Sequence, residues 1–205
     1  MNKSMSSNSS KGNEVDPMSL RVESEDQLVL VEAPYMKTPP SKVFTLVLDL
    51  DETLLHYEEK NEVEGELKIR PGAPEFLAEM SKHFEVVIFT AAMKDYADWA
   101  LAQIPTSNLI TARFYREHAL PFQGFYVKDL SRIGRTLSNM IIVDNIAENF
   151  QLQPENGIFI KSWFNDPKDT ALTELAPLLK AISERGQGTD VRDALRIFRE
   201  QMLEQ

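Results

Sequence analysis

Apolar residues fall into two kinds of pattern along this chain. Val43-Phe44-Thr45-Leu46-Val47-Leu48 is an almost unbroken apolar run, and FEVVIF (84–89), MIIV (140–143) and GIFI (157–160) are three more. Short continuous runs of this kind fit strands covered on both faces. The intervening segments carry helical spacing. Pro74 suits the first position of a helix that turns Phe76, Leu77 and Met80 to one face. Tyr96, Trp99, Ala100 and Gln103 continue a second helix, which Pro105 stops. Strand and helix alternating in this order predict right-handed crossovers and a parallel sheet, hence a three-layer, Rossmann-like α/β domain.

The C-terminal part reads as helical cover. Asp166-Pro167 has the pattern of a cap and first helical residue, followed by an apolar stripe of Leu172, Leu175, Leu178 and Leu179 that Pro177 should kink or divide. From Thr189 onward Val191, Leu195, Phe198 and Met202 recur at helical spacing and predict a last, one-sided helix. At the other end, residues 1–26 are rich in Ser, Asn and Glu and hold too little apolar surface to fold. The expected organisation is a flexible tail over 1–41, with an apolar stretch at 27–31 that packs on the domain, and a folded domain over 42–205. Pro39-Pro40 closes the linker.

Composition narrows the partners. The formal charge of -10 disfavours sequence-independent binding to nucleic acid and docking on anionic membranes. No apolar run approaches the roughly 20 residues that span a bilayer. The segment MNKSMSSNSSKGNEVD lacks the apolar core of a secretory signal and is poor in Arg. A nuclear or cytoplasmic protein is the expectation. There is no cysteine, so disulfides and thiolate metal sites are excluded.

In an open parallel sheet, ligands bind beyond the carboxyl ends of the strands. There the first strand delivers Asp49-Leu50-Asp51-Glu52-Thr53, the second Thr90, and the third Asp144-Asn145. Carboxylates gathered at one sheet edge repel unless a cation neutralises them, and an all-oxygen donor set without His or Cys suits magnesium. His56, His83 and His118 show no ligand spacing and read as structural or exposed. Arg132 and Arg135 read as surface or ion-pair residues.

The run Asp49-Leu50-Asp51-Glu52-Thr53-Leu54-Leu55-His56 resembles the DxDxT signature of the aspartate-nucleophile phosphatases of the haloacid dehalogenase superfamily. Further stretches narrow the likeness: Arg70 to Leu77 (RPGAPEFL), Phe89-Thr90-Ala91, Tyr115-Arg116-Glu117, Tyr126 to Arg132 (YVKDLSR), Asp144-Asn145 and Ser162-Trp163-Phe164. Together they are similar to the small phosphatases of the RNA polymerase II C-terminal domain, also called NLI-interacting-factor-like phosphatases, over roughly residues 42 to 185. The resemblance implies a magnesium-dependent phosphatase acting on phosphoserine or phosphothreonine in a protein segment, with the RNA polymerase II C-terminal domain as one such substrate. Asp49 would be the nucleophile and Asp51 the general acid and base. Magnesium would be held by the Asp49 carboxylate, the Asp51 backbone carbonyl and the Asn145 amide, with Asp144 and Thr53 in support. Thr90, Arg116 and Lys128 would bind the phosphate.

After Asp144-Asn145 the family usually carries Ser-Pro, whereas Ile146-Ala147 follows here. The interval His56 to Ile69 has room for a small β-hairpin around Glu64-Gly65-Glu66, and its Glu58, Glu59, Glu62, Glu64 and Glu66 would make one wall of the site acidic. About 38 residues separate Asp51 from Thr90, and a similar number separate Thr90 from Lys128. Neither interval can hold a separate cap domain, so the expected site is capless and open to a phosphorylated segment of a large partner. Two other readings share the fold. One is a binding module like the mitochondrial import receptors that have lost the acid pair, although Asp49 and Asp51 both stand here. The other is a small-metabolite or lipid phosphatase.

Overall fold

A computed structural model describes residues 31–61 and 64–203. The first apolar run becomes β1 (Phe44–Leu48), in which every residue is buried. A hairpin follows, β2 (Leu55–Glu59) pairing antiparallel with β3 (Gly65–Ile69). Its turn therefore lies before Gly65 rather than around it. At the hairpin's exit Gly72 takes φ 77°, a left-handed conformation that glycine adopts without steric cost, and turns the chain into α1 (Ala73–His83). Pro74 stands in the first turn of α1, and Phe76, Leu77 and Met80 are buried. Next come β4 (Phe84–Phe89), α2 (Lys94–Ala102) and a short strand, β5 (Ala112–Phe114). A second hairpin, β6 (Leu120–Phe122) with β7 (Phe125–Val127), precedes β8 (Met140–Asp144) and β9 (Gly157–Phe159). Two helices end the fold, α3 (Ala171–Ser183) and α4 (Val191–Leu203).

Five strands form one parallel sheet in the order β5-β4-β1-β8-β9. Side chains alternate across it. Leu46, Leu48, Val86, Ile88, Ile141 and Val143 join one cluster with the apolar faces of all four α-helices. Val47, Val87, Phe89 and Ile142 join a second cluster with Phe114, Leu130, Ile133 and Phe150. The chain builds outward from β1 to β4 and β5, then returns to add β8 on the other side. A right-handed return of that kind must cross the opposite face, so the second layer is made of the β5-to-β8 connection, its hairpin and 3-10 turns. Only the β2–β3 hairpin and α1 separate β1 from β4. The expected capless α/β sheet with a hairpin insert is the observed fold among the described residues. No helix among them is long and apolar enough to cross a membrane.

Several expectations change. The folded body begins before residue 42. Met36 is buried in the second cluster, Tyr35 packs against Phe89 and Phe114, and their amides donate to the Arg132 and Ile133 carbonyls. Gly134 makes this possible, because a Cβ there would stand 2.4 Å from the Met36 carbonyl oxygen. The rest of the expected tail, including residues 27–30, lies outside the described residues.

α3 begins at Ala171 rather than at Asp166-Pro167. Asp166 instead accepts the Lys168 amide in a tight turn, and Asp169 accepts the Ala171 amide. Pro177 sits inside α3 without dividing it. It is exposed, so the carbonyl its missing N–H would have served can bond water instead. In α2 the buried face is Tyr96, Ala97, Ala100 and Leu101, and Trp99 is 38% exposed. The side chain of Met202 lies outside the described residues.

Candidate active site

The sheet order reverses at β1, between β4 and β8, and in open α/β sheets ligands bind beyond the carboxyl strand ends at such a switch point. Backbone pairing continues one residue past each strand. Asp49 N–H donates to the Val143 carbonyl at 3.0 Å, and Thr90 N–H to the Phe114 carbonyl at 2.9 Å. Asp49 and Thr90 are thus fixed side by side beyond the sheet. After Asp49 the chain turns around buried Leu50 and Leu54, with the Leu50 carbonyl accepting the amides of Thr53, Leu54 and Leu55. Glu52 takes φ 59° in this turn, a left-handed conformation costing on the order of 1 kcal/mol for a residue with a Cβ. It is held there by its N–H, which donates to the Leu55 carbonyl, and by its carbonyl, which accepts the Trp163 amide.

Lys128 joins the two outer carboxylates. Its Nζ lies 2.5 Å from Asp49 Oδ1 and 2.6 Å from Asp144 Oδ2, and the lysine is wholly buried. Burial penalises its ammonium, but the Asp144 and Asp49 carboxylates more than offset that and hold its pKa above the ordinary range. Burial also pushes the Asp144 carboxyl up, to about 6, with Lys128 opposing the rise. Asp144 is clamped as well by the Ile146 amide at 2.9 Å and by Asn149 Nδ2, 3.1 Å and 3.3 Å from its two oxygens. These bonds close the turn that carries Ile146-Ala147. Asn149 also accepts the Lys128 amide on its carbonyl at 2.6 Å, so one residue orients both partners of the ion pair.

A cation site fits the remaining donors. Thr53 Oγ1 donates to Asp49 Oδ2 at 2.9 Å, and Asn145 Oδ1 lies 3.5 Å from the same hydroxyl. The Asn145 amide is turned this way because its Nδ2 donates to Ser162 Oγ at 3.0 Å. A carboxylate oxygen and an amide oxygen therefore converge, both hard donors of the kind magnesium takes. No group of three or more His, Asp or Glu residues suited to a metal occurs among the described residues. Such a site would be completed by main-chain oxygen and water. Asp49 and Asp144 face a single ammonium, and the charge left over suits a divalent cation.

Thr90 is buried and its hydroxyl accepts the Ala92 amide at 3.0 Å, which leaves its own hydrogen to donate. Arg116 is bonded through Nε to the Ala91 carbonyl at 2.7 Å and lies 4.8 Å over the Tyr126 ring, which fixes it beside Thr90 at the rim. Asp51 stands half-buried at the mouth, where its Oδ1 accepts the Tyr96 hydroxyl at 2.5 Å. Of the residues singled out in the sequence, Asp49, Thr53, Lys128, Asp144 and Asn145 form one connected network, while Thr90, Arg116 and Asp51 surround it.

Residues 44–192 match the family described as NLI interacting factor-like phosphatase. The chain belongs to that family. It is 40% identical over 178 residues to CTD small phosphatase-like protein 3 of Caenorhabditis elegans, covering 78% of this chain and 61% of the relative. It is 43% identical over 150 residues to the probable C-terminal domain small phosphatase of Dictyostelium discoideum, covering 66% of this chain and 49% of that protein. The chain thus spans about half to three-fifths of the length of these relatives. Its fold is similar to the structure of Fcp1, an essential RNA polymerase II CTD phosphatase, with a TM-score of 0.50, 20% identity, and coverage of 79% of this chain and 54% of that one.

The structure adds residues beyond those expected to form the site. Arg70 is wholly buried and bonds Asp169 through Nε and Nη2 at 2.7 and 2.9 Å, the Thr53 carbonyl at 3.1 Å and the Lys161 carbonyl at 3.1 Å. It thereby ties the aspartate turn to the entry of α3, and its hydrogen bond holds Asp169 below the usual carboxylate range. Asn149, Ser162 and Tyr96 are the other additions. Arg70 and Ser162 had a signal, each as the first residue of a stretch that carries the family resemblance. The three histidines are structural. His56 bonds Glu52, His83 bonds Glu79, and His118 packs against Tyr35 and Phe114.

The hairpin wall is less acidic than expected. Glu58 pairs across the strands with Lys68, and Glu66 pairs with Lys60 at 2.8 Å. Glu62 lies outside the described residues.

Proposed function

We propose that this protein is a magnesium-dependent phosphoprotein phosphatase that uses Asp49 as its nucleophile on phosphoserine and phosphothreonine. The observation that carries this reading is the buried Asp49–Lys128–Asp144 bridge at the sheet's switch point. A carboxylate held by Lys128 on one oxygen and Thr53 on the other has its attacking orientation set before substrate arrives.

Asp49 attacks phosphorus to form an aspartyl-phosphate while the ester oxygen leaves with a proton from Asp51. Asp51 then takes a proton from the water that displaces phosphate from Asp49. Lys128, the Thr90 hydroxyl and Arg116 offer donors to the phosphoryl oxygens, where fixed positive charge counts most as the bond order changes. Asp49, Asn145 and the Asp51 main-chain carbonyl would hold the magnesium. When bound, the metal neutralises charge between the carboxylates and the phosphoryl group.

With only the β2–β3 hairpin and α1 between β1 and β4, no cap domain encloses the site there, which favours a phosphorylated segment of a protein over a small metabolite that needs enclosure. The names of the relatives point to the RNA polymerase II C-terminal domain as the first substrate to try. The test is turnover of phosphoserine peptides, that repeat included, by the purified protein. Activity should be abolished by EDTA, restored by magnesium, and absent from a folded Asp49→Asn variant. Near-normal turnover by Asp49→Asn would reject the reading.

A further inference from the structure

Tyr96, the third residue of α2, directs a polar atom at the site from outside the network described above. The residue is 1% exposed, and its hydroxyl donates to Asp51 Oδ1 at 2.5 Å. The ring is held on two sides, by Tyr57 of β2 at a centroid distance of 6.3 Å and by Trp99 at 6.0 Å. The helix beneath it is pinned too. Asp98 receives the Tyr115 hydroxyl at 2.9 Å and Arg113 at 2.8 Å, and it pairs with Lys94. The donor is therefore fixed in place, and its acceptor is a half-buried aspartate in the turn that follows β1.

We propose that Tyr96 is the positioning residue for Asp51, holding its carboxyl where it hands a proton to the departing serine or threonine oxygen. This rests on the acid–base role of Asp51 given above. In the first displacement the Asp49–phosphorus bond forms, the bond from phosphorus to the ester oxygen breaks, and the Asp51 proton ends on that oxygen. Misplacing the Asp51 carboxyl weakens this transfer without touching the nucleophile. The loss should then depend on how much the leaving group needs the proton. An alkoxide needs it, whereas p-nitrophenolate is stable as an anion and leaves without it.

The test compares kcat/KM for a phosphoserine peptide and for p-nitrophenyl phosphate, because kcat/KM reports steps up to the first release. Tyr96→Phe keeps the ring packing and removes only the hydroxyl. It should lower kcat/KM for the peptide about tenfold or more, against general acid catalysis worth roughly 10²–10⁴, and lower it clearly less for the aryl ester. In a double-mutant cycle, adding Tyr96→Phe to Asp51→Asn should cost little further activity, since a positioning residue has nothing left to position. A fold defect would instead give equal losses on both esters and additive effects in the cycle, and either result overturns the proposal. The Asp51→Asn arm separates the two readings. If it slows both esters alike, the acid role of Asp51 falls and this inference with it. If it discriminates between the esters and Tyr96→Phe does not, only the inference about Tyr96 falls.

Discussion

The sheet carries a buried ion pair at each end, and the two are built differently. At the amino end Arg135 meets Glu85 at 2.7 Å, with the side chains 5% and 2% exposed. One cation faces one anion there, and the surroundings complete both. Ser41 donates to Glu85 from its amide and its hydroxyl, and Arg135 donates to the Thr38 and Gly134 carbonyls. At the carboxyl end a single ammonium bridges Asp49 and Asp144, with Asp51 close by at the mouth. No buried side-chain nitrogen or oxygen lacks a hydrogen-bond partner at either end, or elsewhere among the described residues. What separates the ends is charge balance. The matched pair fastens the segment before β1 to β4, whereas the unmatched cluster keeps negative charge that a cation and a phosphoryl group can organise.

That difference can be broken from either side. Asp49→Asn should show the largest effect, loss of turnover with the fold retained, read by phosphopeptide assay and thermal melting. Lys128→Ala should slow the chemical step by on the order of 10²-fold or more, the usual cost of one electrostatic contact to a developing charge. A full-speed Lys128→Ala enzyme would mean that the ammonium only balances charge.

Arg135→Met should do the reverse, keeping kcat while losing about 3 kcal/mol of stability, because Glu85 stays buried without its partner. Melting should fall by roughly 10 °C in a chain of this size. The pair also sets a pH response. Burial alone would raise the Glu85 carboxyl, but Arg135 and Ser41 outweigh it and hold it below its ordinary range. A depressed folded pKa gives stability that is complete above the unfolded value and is lost as pH falls through the folded one. Acid melting of the parent should therefore steepen below the ordinary carboxylate range, and Arg135→Met should lack that step.

The smallest effect belongs to the hairpin. Glu58 and Glu66 are already paired, so replacing Glu59 and Glu64 by Gln should improve turnover of acidic-flanked phosphopeptides by about twofold at most at low salt. At physiological ionic strength the gain should vanish. A tenfold gain at low salt that shrinks as salt is added would restore the hairpin as a charge filter.

The sheet was legible because its signals are local. A continuous apolar run states its own burial, and β1, β4, β8 and β9 stand where those runs are. The strands β5, β6 and β7 span three residues each, and Arg113, Pro121 and Gly124 break the apolar runs in or beside them, whereas the equally short β9 sits in the unbroken run GIFI. The α3 start was misplaced for a related reason. Asp166-Pro167 has the local form of a cap, but the choice fell to Asp169, which Arg70 grips from 99 positions away.

The sequence alone determined the order of β1, the hairpin, α1, β4, α2, β8, β9 and the last two helices, the acid pair Asp49 and Asp51 at a strand end, and the absence of room for a cap. Each depends on residue type and spacing along a few positions. Only the tertiary structure decided that Lys128 lies between Asp49 and Asp144, that Tyr96 meets Asp51, and that residues 31–41 belong to the folded body. Lys128 is 79 residues from one carboxylate and 16 from the other, and a lysine in a loop has the same local pattern whether solvated or buried. Burial of a charge is stable only against partners that the fold brings from elsewhere, so no window of the chain records it.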